Sequence, residues 1–334
     1  MSPNLSRRAF VAGSAAIAAG LPLRAQAGVT EVRVATQIGL AYLPLHVMQH
    51  DKLWEIHAEK LGQQITVSYV PLGGGAALND ALISGSVHVV AAGIAPLLTV
   101  WDRTLKNYKV KGLSAINSAP MYLLTNNPKV QSVRDFTDSD RIAVPSIKVS
   151  LQAIAVGMIA EKELGRADAL DSLEVAMAHP EAYSALVSRA QITGYMSNAP
   201  FQERALKLPG IRKIGSFFDA VGGPATLTVA YCASSFVDGN PVLAQAYIAA
   251  LDEAMASIEA NREAAIEKYL KVTDDHTERA LLIEIMNDKQ TTFGSSPLRT
   301  MQVAKFMHKI GMLKTAPEKW SDYFFSTVSS GAGS

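Results

Sequence analysis

The chain has 334 residues, 49% of them hydrophobic and 18% charged, with 31 Lys and Arg against 30 Asp and Glu. That length and apolar content suit one large or two medium globular domains and exclude a largely disordered chain. A net charge of +1 with no Lys/Arg-rich run argues against nucleic acid as a partner. Beyond residue 27 no stretch reaches the roughly 18 apolar residues of a membrane span, so the mature chain is not membrane-embedded.

The first 27 residues read as a cleavable export signal. Arg7 and Arg8 precede a weakly hydrophobic stretch from Phe10 to Leu23, and Ala25-Gln26-Ala27 supplies the small residues of a cleavage site. Ser6-Arg7-Arg8-Ala9-Phe10-Val11 follows the twin-arginine pattern S-R-R-x-F-L, which predicts export of a folded chain. An ordinary secretory signal leads to the same compartment, the periplasm, with cleavage after Ala27. Removing this segment takes away three arginines and no acid, so 28 basic residues face 30 acidic ones. Cys232 is the only cysteine. It allows no intrachain disulfide and lies far from the cleavage point, which excludes a lipid anchor at the new N-terminus. Stability has to come from a buried core, which about 300 residues supply.

In chain order, Val32 and Val34 alternate with charge in a short strand that ends at Gly39. A helix over 44–53 follows, then a strand ITVSYV, then the loop Leu72-Gly73-Gly74-Gly75. From Ala76 the apolar residues Ala77, Leu78, Ala81 and Leu82 take helical spacing, and Gly85 is the natural stop. VHVVAAG is a continuous apolar run of the kind found in a buried parallel strand, and Pro96 opens a helix. After a break the alternation restarts. MYLLTNN and RIAVPS read as strands, 149–164 as a helix ended by Gly165, SLEVAMA as a strand, 180–189 as a helix, ITGYMS as a strand and 200–208 as a helix. Two successive α/β sets with helices on both sheet faces are the expectation.

After GGPATLTVAYCASSFV, which ends at residue 237, the character becomes helical. Asn240-Pro241 is an N-cap followed by proline at the first helical position. Leu243, Tyr247, Leu251, Met255 and Ile258 then form one apolar face, read as core packing. Further amphipathic helices are expected over 263–271, 277–287 and 298–310, packed on the first α/β set.

Catalytic and metal-binding signatures are missing from the sequence. The seven histidines are scattered, no H-E-x-x-H or cysteine pair occurs, and His46 with His50 lacks a third ligand. There is no G-x-S-x-G elbow. The triple glycine is not a phosphate cradle either, because neither Lys-Ser/Thr nor the G-x-G-x-x-G spacing accompanies it. What recurs is a strand, a short loop with Gly or Pro, and a helix N-terminus. In open α/β sheets such loops gather at the carboxyl ends of the strands, where ligands bind. Two sets facing each other would grip a small anion or polar molecule through helix N-termini.

Three stretches carry a more specific resemblance: ATQIGLAYLPLHVMQHDKLWE, LGGGAALNDALISGSVHVVAAGIAPLL and VDGNPVLAQAYIAALDEAMASIEANREAAIEKYL. They resemble the nitrate/sulfonate/taurine group of periplasmic substrate-binding proteins of ABC transporters, which includes relatives that bind thiamine-pyrimidine precursors. The resemblance implies an α/β fold of the periplasmic-binding type II class, two lobes with a central cleft and C-terminal helices on lobe one. Lobe one would comprise residues 30–122 and 226–330, and lobe two 123–225. A monomer that hands a small-molecule ligand to an ABC permease is implied, with no cofactor, no metal and no catalysis. One departure bears on the substrate subgroup: Val87-His88 stand where the family usually carries an acid.

The resemblance carries ligand-binding positions over to Ile38, Gly39 and Tyr42 on the first loop, Gly73, Gly74, Gly75 and Ala76 on the glycine loop, and Ala92, Gly93 and Ile94 on the third. Lobe two contributes Ile147, Lys148, Val149 and Ser150 at a helix start, with Ser197 and Asn198 on a return loop. His179 and Thr226 are added from their places beside Pro180 and the return crossing. Tyr42 either stacks on the ligand or packs half-buried. Lys148 either neutralises an anion or is a solvated surface lysine. The hydroxyl of Ser150 serves the ligand or only its own helix. A ligand-binding sensory module is not separable from transport on sequence. A pyrimidine-synthase-like enzyme on the same fold would carry a cysteine-rich iron motif and work in the cytosol, against which the lone Cys232 and the export signal argue. The apolar loop residues fit a small organic anion or a neutral heteroaromatic molecule better than bare nitrate.

Overall fold

Among the described residues of this computed structural model, 29–326 and 333–334, the strands form two separate sheets. The export-signal reading of residues 1–27 lies outside them. The chain first lays down β1 (Glu31–Thr36), β2 (Thr66–Pro71), β3 (Val89–Gly93) and β4 (Lys111–Ser118). It then crosses to a second sheet and builds β5 (Tyr122–Thr125), β6 (Ile142–Val144), β7 (Glu174–Ala176), β8 (Gly194–Ser197) and β9 (Arg212–Ser216). It returns with β10 (Thr226–Cys232) and β11 (Thr292–Phe293). The strand orders are β11-β4-β10-β3-β1-β2 and β7-β6-β8-β5-β9.

Pairing follows from the connections. β1 runs parallel to β2 and β3, and β6 runs parallel to β7 and β8, because helical crossovers link them. The two crossings between sheets reverse direction. β10 lies antiparallel between β3 and β4, and β5 antiparallel between β8 and β9. Every residue of β10 is buried, as a central strand covered on both faces requires. The antiparallel β10 begins at the edge where β1, β3 and β4 end, so Thr226 and Thr228 join the loops at those strand ends.

The helix predicted over 44–53 is two helices, α1 (Leu43–Asp51) and α2 (Leu53–Lys60), because Lys52 between them takes the left-handed conformation at φ 52°. α3 (Gly75–Ile83) and α4 (Ile94–Thr104) follow β2 and β3. On the second sheet, α5 (Leu151–Leu164) stops at Gly165, where φ is 77°. It is joined by α6 (His179–Ser188), α7 (Phe201–Leu206) and α8 (Phe217–Val221). The helical tail is α9 (Ser234–Gly239), α10 (Pro241–Ala260), α11 (Arg262–Val272), α12 (Arg279–Met286) and α13 (Thr300–Lys309).

The apolar stripe of α10 is core, as its spacing predicts: Leu243, Tyr247, Leu251, Met255 and Ile258 are all buried. α10 lies on α1 and α2, and α11 on α1, so the tail covers the six-stranded sheet. Trp54 of α2 locks this layer. Its ring meets Tyr247 edge-on at 4.9 Å, and its indole N–H donates to the Leu243 carbonyl at 3.0 Å. The Tyr247 hydroxyl reaches Ser114 Oγ of β4 at 2.9 Å, tying tail to sheet. Asn240 stands at the N-cap of α10 with Pro241 after it, as expected, but its side chain makes no capping hydrogen bond. Its side chain accepts from Val29 N and donates to the Phe236 carbonyl, joining the residues before β1 to α9. His88, at the position that departs from the family pattern, accepts from Arg33 N at 3.0 Å and holds the approach to β3 against β1.

Trp54 is 1% exposed, so Trp54→Ala is expected to lower the unfolding free energy in urea by about 3–5 kcal/mol. Trp54→Phe, which keeps a ring against Tyr247, is expected to cost less than half as much.

Candidate functional site

The carboxyl ends of the strands in the two sheets meet along a seam, and glycines set how closely. A Cβ on Gly74 would stand 2.5 Å from the Pro145 carbonyl oxygen and closer still to Ser146 Oγ. A Cβ on Gly93 would stand 2.8 Å from the Leu151 Cβ, and one on Gly39 3.1 Å from the Ala199 carbonyl oxygen. Two hydrogen bonds span the same seam: Leu40 N to Ala199 O at 3.3 Å, and Ala76 N to Ser146 Oγ at 3.4 Å. The triple glycine therefore lets the backbone of one sheet's loop touch the backbone of the other's. Gly74 itself is extended (φ −174°). Space, not left-handed backbone, demands glycine there; at Gly39 a φ of 134° adds a conformational demand.

Beside this contact lies a cavity of about 260 Å³. Gln37, Ile38 and Gly73 line it from the six-stranded side, and Ala178, His179 and Glu181 from the other. His179 is 3% exposed and held on every side. Its Nδ1 is 2.5 Å from the Tyr195 hydroxyl, its Nε2 is 3.3 Å from Gln152 Nε2, and its ring stacks on Phe201 at 5.7 Å. Burial pushes its pKa down to about 4, so the ring is neutral near pH 7. Tyr42 is buried rather than half-buried. Its hydroxyl donates to Gln37 Oε1 at 3.0 Å, which fixes the glutamine beside the cavity.

The other expected positions fall into three groups. Gly75 abuts Pro96, with Val149 Cγ1 3.7 Å from its Cβ position, and Asn198 Nδ2 lies 3.9 Å from that of Gly39. These residues belong to the seam. Ala92 and Ile94 are fully buried, while Ile147 is 40% exposed. Three hydroxyls are used within the protein. Ser150 Oγ accepts from Ala153 N at 3.2 Å and donates to the Ser146 carbonyl at 2.8 Å, capping α5. Thr226 Oγ1 accepts from Leu298 N at 2.8 Å, and Ser197 Oγ donates to Asn198 O at 3.4 Å.

Lys148 stands apart from the 260 Å³ cavity. It lines a separate one of about 360 Å³ between α5 and α13, with Ile154, Glu174, Phe306 and Met312. Burial pushes the Glu174 carboxyl up to about 8, Asp171 adds to the shift, and Lys148 opposes it.

Sequence reasoning missed a set of polar side chains at the strand ends. Asn117 Nδ2, Ser118 Oγ, Thr228 Oγ1 and Asn198 Oδ1 are buried without a hydrogen-bond partner among the described residues. Thr228 pairs across the sheet with Gly93 on one side and Asn117 on the other, and its N–H donates to Asn117 Oδ1 at 3.1 Å. The signal was present as polar residues closing otherwise apolar strands, in LSAINS and TLTVAYC. Buried polar groups are normally paired, so each of these four atoms, three from the six-stranded sheet and one from the loop after β8, is left with hydrogen-bonding capacity to spare. Cys232 is no nucleophile here, because full burial holds its thiol protonated.

No protein-family model matches the chain, and no curated protein sequence does. Solved structures share its fold across nearly its whole length. The alkanesulfonate-binding protein SsuA from Xanthomonas axonopodis pv. citri, bound to MOPS, aligns at a TM-score of 0.69 with 17% identity, over 87% of this chain and 96% of that one. The periplasmic nitrate-binding protein NrtA from Synechocystis PCC 6803 aligns at 0.69 with 14% identity, over 88% and 84%. A Candida albicans protein described as exhibiting the generic periplasmic binding protein structural fold aligns at 0.68 with 15% identity, over 88% and 96%. The chain has that fold.

Two measurements follow. Thr228→Val removes a buried hydroxyl that has no partner, so it is expected to raise the unfolding free energy of the ligand-free protein by roughly 1 kcal/mol. The second concerns Glu174, whose folded pKa lies above its unfolded value near 4.5. The folded state then holds the extra proton, and the wild type loses stability as pH rises from about 4.5 to 8. Glu174→Gln lacks this dependence. Its melting temperature is expected to match the wild type near pH 5 and exceed it near pH 8, by a margin on the order of 2 kcal/mol in stability.

Proposed function

We propose that this chain is an extracytoplasmic solute-binding protein that captures one small molecule between two lobes and presents it to an ABC permease. Residues 30–122 with 226–330 form one lobe in this reading and 123–225 the other, joined by the two strand crossings. The observation that carries the reading is the seam itself, where glycine backbones at the strand ends of one sheet touch the loops of the other beside a cavity lined from both sides.

Capture of this kind needs differential affinity for the closed arrangement and no covalent step. A micromolar dissociation constant corresponds to about −8.2 kcal/mol, within reach of several desolvated hydrogen bonds and the apolar wall around Ile38. The ligand-binding positions are those at the seam and the cavity: Ile38, Gly39 and the glycine loop from one lobe, and Val149, His179 and Asn198 from the other. The twin-arginine-like segment supports export to the periplasm with cleavage after Ala27. The fold neighbours named for alkanesulfonate and nitrate are binding proteins, which supports a binding role without catalysis and a transporter as partner. Small organic anions, sulfonates and taurine among them, and heteroaromatic molecules are the substrate classes, and the working form is a monomer.

Purified mature protein tested by thermal shift against sulfonates, nitrate, aromatic carboxylates and pyrimidines is expected to be stabilised by at least one compound. A ligand at about 100 times its dissociation constant adds about 2.7 kcal/mol. Gly74→Val, which wedges the seam open, is expected to weaken that compound's binding without unfolding the protein. Consumption of any compound by the protein would contradict a role limited to capture.

A further inference from the structure

Building on the reading of two lobes that close, we propose that Glu203 ties closure to a proton: uncharged, it lets α7 rest against α12, and ionised, it pushes the two helices apart and favours the open arrangement.

The contact adjoins the seam. α7 belongs to the side of the five-stranded sheet and α12 to the helical tail, and a cavity of about 170 Å³ lies between them. Ala199, Gln202 and Glu203 line it from one side, Glu284 and Asp288 from the other. Ala199 is the residue whose carbonyl accepts from Leu40 N across the seam. Glu203 Oε1 accepts from Gln202 Nε2 at 2.8 Å, while its Oε2 is buried without a hydrogen-bond partner among the described residues. A buried carboxylate needs more donors than that single amide. Gln202 itself is fully buried and grips the crossing from β4 to β5: its Oε1 accepts from Tyr122 N and its Nε2 donates to the Pro120 carbonyl, both at 3.1 Å. The amide that holds Glu203 therefore also holds the segment about which the two sheets would turn.

The charges around Glu203 disfavour its ionised form. Glu284 and Asp288 face it from α12 and the turn after it. Lys207 on its own helix is paired with Glu284 at 2.8 Å, Arg204 lies over the Tyr183 ring of α6 at 4.3 Å, and Lys213 of β9 lies over the Tyr122 ring at 4.5 Å. The Tyr122 hydroxyl of β5 is pushed above its usual range by burial and by Glu203, so it stays neutral. Burial, with Asp288 and Glu284 adding, raises the Glu203 carboxyl to about 7 against the hydrogen bond from Gln202. Opening exposes the group to water and returns it toward 4.5. The closed form thus holds the extra proton, and closure weakens as pH rises through 7 and recovers as it falls.

The test is pulsed electron resonance on the mature, solute-free protein with spin labels on cysteines placed at Val70 and Ser184, which are exposed on opposite sides of the seam. The ratio of short to long distances is expected to fall about tenfold from pH 6 to pH 8, the change that one proton with a midpoint near 7 allows. Glu203→Gln, verified as folded by circular dichroism, is expected to keep the acid ratio at both pH values. Asp288→Asn is expected to move the midpoint to lower pH, which a merely structural role would not do. A ratio independent of pH, or a change that survives in Glu203→Gln, would overturn the proposal. The same labels are then read with methanesulfonate, nitrate, benzoate and uracil. Distances that respond to one of these solutes but not to pH would remove the proton link and leave capture standing, whereas distances that respond to neither would count against both.

Discussion

Two polypeptide backbones come into van der Waals contact at Gly74 and Pro145, with no side chain between them. Much of the architecture is arranged around that approach. Glycine is required at 74 because the neighbour is a main-chain carbonyl, which cannot move aside as a flexible side chain would. Gly93 plays the same part against Leu151 of α5, and Gly39 against Ala199. The helices that start beside these glycines bring their first turns to the seam. The strands that end there bring Thr228, Asn117 and Ser118 to the same edge. A bulkier residue at any of the three glycines would force the two sheets apart at this seam.

Apart from Glu181, the side chains lining the cavity at the seam are apolar or neutral polar groups. His179 is fixed by hydrogen bonds and stacking and kept uncharged by burial, so it forms a wall of the cavity rather than a titrating group. Gln37 is held by Tyr42, which makes the facing wall equally rigid. Such preorganisation lowers the ordering cost of binding a small solute. The lysine among the expected positions lies elsewhere, with Lys148 beside Glu174 in the cavity against α13. Two chains of the same fold can therefore select different solutes through side chains at a few loop positions, which is how function varies on a shared scaffold.

Much of the fold was legible because its signals are local. The spacing of Leu243, Tyr247 and Leu251 marks a buried helical face, and the run VVAAG marks a strand covered on both sides. β4 and β9 escaped because neither shows a clean pattern: KGLSAINS mixes polar and apolar residues, and RKIGS sits with charged residues at a sheet edge. The break at Lys52 was invisible because lysine carries no sequence mark of the left-handed conformation it takes there. Of the site, the glycine loop announced itself, but the reason for it did not. A glycine that makes room for another backbone looks the same in sequence as one that makes room for a ligand. Asn117, Ser118 and Thr228 were hidden for a related cause: a polar residue at a strand end reads as ordinary until its missing partners are known.

The claim that the two sheets belong to lobes which open and close on a solute is most directly tested by the distance between them in solution. Val70 and Ser184 lie exposed on opposite sides of the seam, and the single native cysteine, Cys232, is buried, so cysteines introduced at those two positions take spin labels selectively. Pulsed electron resonance on the labelled protein should give a broad or long distance distribution without ligand. Saturation with a compound that stabilises the fold should collapse it to one short distance. A single distribution, identical with and without that compound, would contradict capture by closure.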